Sequence, residues 1–145
     1  MFREIAITQA LKAPAAKVFA AFLDPVKLAR WFFPDNFSVE EGFIEGHAGG
    51  RFYARMINPG GIPVEVSGSV LQVESPYRLV FTWRWQAAEF GDELTTVDIS
   101  IRDEEQGCVL AIRHGPFNAA AFSLHEAGWR AALARLPAAL AGILA

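Results

Sequence analysis

NAAAFSLHEAGWRAALARLPAALAGILA, residues 118–145, is the stretch that decides the fold. Within it Phe122, His125, Trp129, Leu133, Leu136 and Leu140 recur at steps of three and four. On an α-helix that spacing gathers all six side chains into one narrow stripe. Glu126 and Arg130 stand four apart with the acid first, the order that supports a helix. The opposite face carries Leu124, Ala127, Ala131, Ala134 and Ala138 instead of charges, so the helix is expected to be covered on more than one side. Pro137 falls inside the pattern and predicts a kink or an early end.

The chain before this helix reads mainly as strands. Residues 77–85 are the clearest: Leu79, Phe81, Trp83 and Trp85 share one face, and Val80, Thr82 and Arg84 the other. Residues 94–102 alternate as well, with Val97, Ile99 and Ile101 inward and Asp98 and Arg102 outward. The polar run 103–107 reads as a hairpin loop. Cys108, Leu110, Ile112 and His114 then share the inner parity of a last strand, which Gly115 and Pro116 are expected to break. Earlier, residues 37–44 and 51–57 read as strands either side of a turn at Gly49 and Gly50, and Asn58, Pro59, Gly60 and Gly61 form a loop. Val64, Val66, Gly68 and Val70 keep one parity that switches at Leu71 and Val73, predicting a bulge or bend. At the start, Ile5, Ile7 and Leu11 mark a half-buried strand. Pro14 opens a short helix carrying Val18, Phe19 and Phe22. Asp24 caps a second short helix with Pro25 at its first position; it ends in Trp31, Phe32 and Phe33 and is stopped by Pro34.

The order is therefore one strand, two short helices, about six more strands and one long helix. Short turns between successive strands imply an antiparallel meander. One sheet face is bulky and apolar, and the long helix carries the complementary stripe. The expected class is α+β: a curved antiparallel sheet of six to seven strands gripping the C-terminal helix, with a pocket between them. No repeat, low-complexity segment or linker interrupts it.

Composition narrows the function. At 145 residues with 52% hydrophobic content, the chain reads as a single domain, 1–145, with ample core. A net charge of −3 and a pI near 5.6 argue against a nucleic-acid partner, which calls for a basic stripe. Residues 1–12 alternate and carry charges, unlike a signal peptide, and the uncharged run 136–145 is too short to span a bilayer. Cys108, the single cysteine, excludes an intramolecular disulfide and a multi-cysteine zinc site and fits a reducing compartment. The expectation from these features is a soluble, cytoplasmic protein with no membrane partner.

Five segments carry a resemblance: APAAKVFAAFLDPVKLARWFFP (13–34), GGRFYARM (49–56), GSVLQVESPYRLVFTW (68–83), LAIRHGPF (110–117) and HEAGWRAALARL (125–136). Their order and spacing resemble the START-like (SRPBCC) helix-grip superfamily, the group that includes the birch-pollen-allergen-like proteins. Within it the chain is similar to the branch named after the heat-shock-protein-90 ATPase activator. The resemblance implies a helix-grip fold and a cavity for an apolar small molecule. Related members cyclise or dehydrate polyketides, bind lipids or act as co-chaperone domains, so the fold leaves the chemistry open.

The residues offer candidates for each role. Phe32, Phe33, Phe52, Met56, Phe81, Trp83, Trp85, Phe117, Phe122 and Trp129 supply a large, mainly aromatic surface. It can line a cavity or close into a packed core. The ligand-binding candidates are Phe33, Phe52, Met56, Phe81, Trp83, Trp85, His114, Phe117, Phe122, His125 and Trp129. Trp83 and Trp85 each need a partner, or water, for the indole N–H. His114 and His125 both face inward and could meet across the pocket, as acid–base groups or as histidines hydrogen-bonded at the core edge. Glu126 is either a pocket carboxylate with a raised pKa or an ordinary partner of Arg130. These three are the only catalytic candidates. Their spacing matches no zinc motif, so no metal and no cofactor are expected.

The other polar residues have plainer readings. His47 lies in a Gly-rich loop and should be exposed. Arg51, Arg55, Arg84 and Arg113 fall mostly on the outer sheet face, where Arg55 and Glu65 could pair across strands. Cys108 reads as a buried, inert thiol. No serine sits in a nucleophile elbow, and GHAGG (46–50) is neither a phosphate loop nor a dinucleotide fingerprint.

Three functions follow. The first is binding of an apolar or aromatic small molecule without defined catalysis. The second is a cyclase- or dehydratase-like enzyme using His114, His125 or Glu126. The third is a co-chaperone or other protein-interaction module, which would leave Trp31, Phe32 and Phe33 partly exposed. The sequence permits a homodimer through an edge strand or the last helix, and no residue compels one.

Overall fold

The alternating segments become seven strands in the computed structural model, which describes residues 2–86 and 93–142. They are β1 (Arg3–Leu11), β2 (Ser38–Ile44), β3 (Arg51–Ile57), β4 (Pro63–Glu74), β5 (Arg78–Trp85), β6 (Thr95–Glu104) and β7 (Gly107–Phe117). Helices α1 (Ala15–Leu23) and α2 (Pro25–Trp31) lie between β1 and β2, and α3 (Ala119–Leu140) follows β7. The last three residues of the quoted C-terminal stretch fall outside the described residues.

All strand pairs are antiparallel, in the order β1-β7-β6-β5-β4-β3-β2. Strands β1 and β2, neighbours in sequence, therefore occupy opposite edges, and α1 and α2 carry the chain across. The curved sheet holds α3 against its bulky face, so the architecture is the expected α+β helix-grip fold. Register keeps inner residues together: Ile99 faces Ile112, Ile101 faces Leu110, and Ile7 faces Ile112 from the other side. All five are buried.

The expected irregularity in β4 is a register shift between Val70 and Gln72. Just before it, Gly68 passes so close to β5 that a Cβ there would meet the Thr82 carbonyl oxygen at 1.8 Å. Only glycine allows that approach. Thr82 Oγ1 accepts from the Ser69 N–H at 2.8 Å, replacing a ladder bond at the bend.

The short helices are held by aspartates. Asp24 accepts from the Val26 and Lys27 N–H groups at 2.9 and 3.3 Å, the cap expected for α2. Helix α1 begins after Pro14, which offers no capping side chain. Asp103, from the far end of β6, accepts from the Ala15 N–H at 3.0 Å instead, while its other oxygen accepts from the Tyr77 hydroxyl at 3.1 Å. A carboxylate at a helix N-terminus is favoured by both the free N–H groups and the helix dipole.

Four local expectations are corrected. The α3 stripe is buried as expected from Phe122 to Leu136, but Leu124, Ala127, Ala131 and Ala134 are exposed, so the helix is covered on one side only. Alanine makes an uncharged face that tolerates water. Helix α3 also does not end early at Pro137 but continues to Leu140. Proline leaves the Leu133 carbonyl without its intrahelical donor; the Gln9 side-chain amide from β1 supplies one at 3.0 Å. Strand β7 does not stop at Gly115 and Pro116 but reaches Phe117, with a register shift against β1 between Arg3 and Ile5 that accommodates the proline. The hairpin between β6 and β7 narrows to Glu105 and Gln106, because Asp103 pairs with Cys108 and Glu104 with Gly107. Gly107 has φ +151°, and a Cβ there would meet the Leu11 carbonyl oxygen at 1.9 Å.

Candidate functional site

The site begins where α2 ends. The Trp31 indole N–H donates to the Ala21 carbonyl at 3.0 Å, and the ring meets Phe22 edge-on at 4.9 Å. This fixes α2 to α1. The carbonyls at the end of α2 lack intrahelical donors. Arg135 on α3 supplies them, donating to the Trp31 carbonyl at 3.1 Å and the Phe33 carbonyl at 2.5 Å, and it pairs with Asp35 at 2.9 Å. One arginine thus ties the aromatic turn after α2 to the long helix. Phe32, held by that turn, meets Phe33, Phe52 and Trp129 edge-on at 5.2–6.3 Å.

Between this turn, the sheet and α3 lies a cavity of about 340 Å³. Phe32, Phe33, Pro34 and Phe37 form one wall. Met56 of β3, Val66 of β4 and Trp83 and Trp85 of β5 form its floor. Helix α3 contributes Leu124, His125, Ala127, Gly128, Trp129 and Ala132. The exposed positions Leu124, Ala127 and Gly128 mark its mouth. A Cβ at Gly128 would meet nothing within 4 Å.

The polar groups beside the cavity form a closed set. The Trp129 indole N–H donates to His114 Nδ1 at 2.9 Å, and His114 Nε2 lies 2.8 Å from Thr95 Oγ1. An indole nitrogen can only donate. Nδ1 must therefore accept, and neutral His114 carries its proton on Nε2. That proton goes to Thr95, whose hydroxyl donates to the Trp83 carbonyl at 3.1 Å. The same logic fixes His125: the Trp85 indole N–H donates to Nε2 at 2.7 Å, so Nδ1 carries the proton and donates to the Ala121 carbonyl at 2.7 Å. Trp83 Nε1 is the one buried side-chain nitrogen or oxygen without a hydrogen-bond partner among the described residues. Its ring stacks on Phe52 at 5.1 Å and meets His114 at 5.0 Å.

Burial holds His114 well below the ordinary imidazole pKa, and the neighbouring His125 pushes it the same way. Burial also lowers His125, offset in part by its hydrogen bond to the Ala121 carbonyl. The two rings lie 5.8 Å apart, as the shared inward parity suggested. Both imidazoles are therefore neutral near pH 7, and each lone pair is taken by a tryptophan.

Of the candidate ligand-binding residues, Phe33, Met56, Trp83, Trp85, His125 and Trp129 line the cavity. Five others lie outside its lining. Phe52 and Phe81 pack together at 4.9 Å, with Phe52 against Trp83. His114 is fully buried. Phe117 stacks on the His125 ring at 4.4 Å, and Phe122 lies under the Arg3 guanidinium at 4.1 Å. Glu126 pairs with Arg130 at 3.6 Å and does not line the cavity. His47 is exposed, Arg55 reaches Glu65 at 3.1 Å, and burial raises the Cys108 thiol pKa. Among the described residues, no group of three His, Cys, Asp or Glu side chains could hold a metal, and no helix is long and apolar enough to cross a membrane.

Sequence reasoning missed Arg135 and Gly128. Arg135 has no acid three or four residues away on its helix, and an unpaired charge on such an apolar helix signals a tertiary partner. Gly128 interrupts an alanine-rich face where glycine carries a helix penalty, so its place needed another reason.

The fold is shared with proteins of known structure. A protein from Chromobacterium violaceum is 25% identical, with a TM-score of 0.82 over 94% of this chain and 96% of that one. The AHSA1 protein from Silicibacter pomeroyi is 27% identical, with a TM-score of 0.80 over 96% and 98%. A Rhizobium leguminosarum protein shares the fold at 16% identity, with a TM-score of 0.84 over 98% and 96%. Among curated proteins, none matches in sequence. The family described as activator of Hsp90 ATPase homolog 1-like protein matches residues 12–141. With nine-tenths of the sequence matched and the helix-grip architecture in place, the chain belongs to that family.

Proposed function

We propose that this protein binds an apolar, ring-bearing small molecule in the cavity between α3, the turn after α2 and strands β3 to β5. The observation that carries this reading is the cavity itself: about 340 Å³, walled by apolar and aromatic side chains and open at Gly128. Its volume falls in the range of small-molecule sites, about 300–1,000 Å³. A guest burying roughly 300 Å² of apolar surface gains about 7 kcal/mol gross. Ordering and association take back several of these, which leaves affinities around micromolar or weaker.

The histidine network favours binding over acid–base chemistry. A general base needs a free lone pair within reach of a substrate proton. That of His114 is held in the buried core by the Trp129 N–H, and that of His125 is bonded to the Trp85 N–H; Glu126 is paired outside the cavity, so among the described residues a hydroxyl that reached His125 would meet an acceptor with no second acid–base group beside it. The family's name points to a chaperone ATPase. The aromatic cluster that a partner could have used is 1%, 7% and 6% exposed at Trp31, Phe32 and Phe33, which favours the small-molecule reading.

Tryptophan fluorescence tests the proposal, because Trp83, Trp85 and Trp129 all line the cavity. Titration with an uncharged naphthalene dye such as prodan should quench emission saturably, at one molecule per chain. Absence of saturable quenching across a broad panel of apolar ligands would overturn it.

A further inference from the structure

Resting on the binding reading above, we infer that the cavity selects an uncharged ring compound bearing a hydroxyl, which sits between the Trp85 indole N–H and His125 Nε2. The first ground is charge. Among the described residues, none that lines the cavity is Asp, Glu, Lys or Arg. The nearby charges on α3 are engaged elsewhere: Glu126 with Arg130, and Arg135 with Asp35 and two backbone carbonyls. A carboxylate entering this space would lose its water with no cation to replace it. A fatty acid or aromatic acid is a poor guest, whereas a neutral molecule meets no such penalty.

The second ground is the identity of the polar atoms that remain. Trp129 spends its N–H on His114, and His125 spends its Nδ1 proton on Ala121. Trp83 Nε1 is fully buried. Among the described lining side chains, the nitrogens that remain are one donor and one acceptor, Trp85 Nε1–H and His125 Nε2, bonded to each other at 2.7 Å. A group inserted between them must accept from the indole and donate to the imidazole. A hydroxyl does both. An ether or ketone accepts only and would strand the Nε2 lone pair. Exchanging one hydrogen bond for two adds a modest gain to the apolar burial of the ring.

A series on one scaffold separates these elements: naphthalene, 2-methoxynaphthalene, 2-naphthol and 2-naphthoate, each titrated at neutral pH by tryptophan quenching and calorimetry. The expected order is 2-naphthol tightest, about tenfold ahead of naphthalene. The methyl ether should match naphthalene, and the carboxylate should bind at least about tenfold more weakly. In His125→Phe the ratio of naphthol to naphthalene affinity should fall to about one, whatever the substitution does to naphthalene affinity itself. Equal affinities for all four, or preference for the carboxylate, would overturn the hydroxyl assignment and leave the binding site standing. No saturable binding by any of them would remove both. Should His125→Phe not fold, the wild-type series decides alone.

Discussion

The two halves of the sheet are built from different side chains, and the aromatic-lined cavity lies against only one of them. The inner faces of β1, β6 and β7 carry Ile5, Ile7, Val97, Ile99, Leu110 and Ile112, each no more than 8% exposed. The inner faces of β3, β4 and β5 carry Phe52, Met56, Val66, Phe81, Trp83 and Trp85, and there the cavity forms. Branched aliphatic side chains interdigitate to crystal-like density. Flat rings meet edge to face at fixed spacings, as Phe32 does with Phe33 and Trp129, and they do not deform to fill what is left. Hydrophobicity is similar on both sides; side-chain shape sets where the aromatic-lined cavity forms.

Truncation should expose that difference most strongly. Ile99→Ala leaves a hole in the aliphatic half and should cost about 2–5 kcal/mol. Leu124→Ala, at the mouth and 45% exposed, should cost no more than about 0.5 kcal/mol. Urea unfolding midpoints measure both. Equal costs would mean that the mouth is as tightly packed as the aliphatic half, and the contrast would fail.

The histidines divide along the same line, His114 in the closed core and His125 on the cavity wall. Both have native pKa values below the unfolded value of about 6.5. Below pH 6.5 the unfolded chain binds protons that the native chain refuses. Stability should therefore be level above that pH and fall on acidification, by up to about 1.4 kcal/mol per pH unit for each histidine still neutral. His125, less strongly lowered, should stop contributing first; the deeper His114 should sustain the slope to lower pH. Urea titrations at a series of pH values test this, with His125→Phe roughly halving the slope in its upper part and leaving the lower part, due to His114, in place. Stability unchanged between pH 7 and the onset of acid unfolding would contradict the neutral assignment of both rings.

How much of this could be read from sequence depended on whether the property was periodic. The α3 stripe and the inward parities of β5, β6 and β7 follow from spacing, because a core on one side imposes a period on each element. The approach of His114 and His125 followed from the same parities. Depth did not. Aromatic character grouped Phe52 and Trp83 on one surface without separating the ring behind the cavity from the ring in its wall. The tertiary ties were also silent: Arg135 reaching the α2 carbonyls, Asp103 capping α1 and Gln9 serving Leu133 link residues 88 to 124 positions apart. No local pattern encodes such pairs.

Gly128 gives the smallest effect and the sharpest view of the contrast. Inside a helix, glycine is about 0.8–1.0 kcal/mol worse than alanine. In the aliphatic half, glycines have steric reasons to be there, as at Gly107, where a Cβ would strike backbone. At Gly128 the added atom would meet nothing within 4 Å, so no steric conflict explains the residue. Gly128→Ala should accordingly stabilise the fold by about 0.4–1 kcal/mol. Gly128→Leu should also be more stable than wild type, since leucine outranks glycine in a helix, yet bind uncharged ring ligands more weakly, because its side chain occupies the mouth. A gain in stability with unchanged affinity in both variants would show that the mouth lies elsewhere. A loss of stability in Gly128→Ala would show that the space beside the helix is already filled. Stability and affinity moving in opposite directions is the outcome that ties this glycine to the cavity, since a residue kept for packing alone would shift only the first.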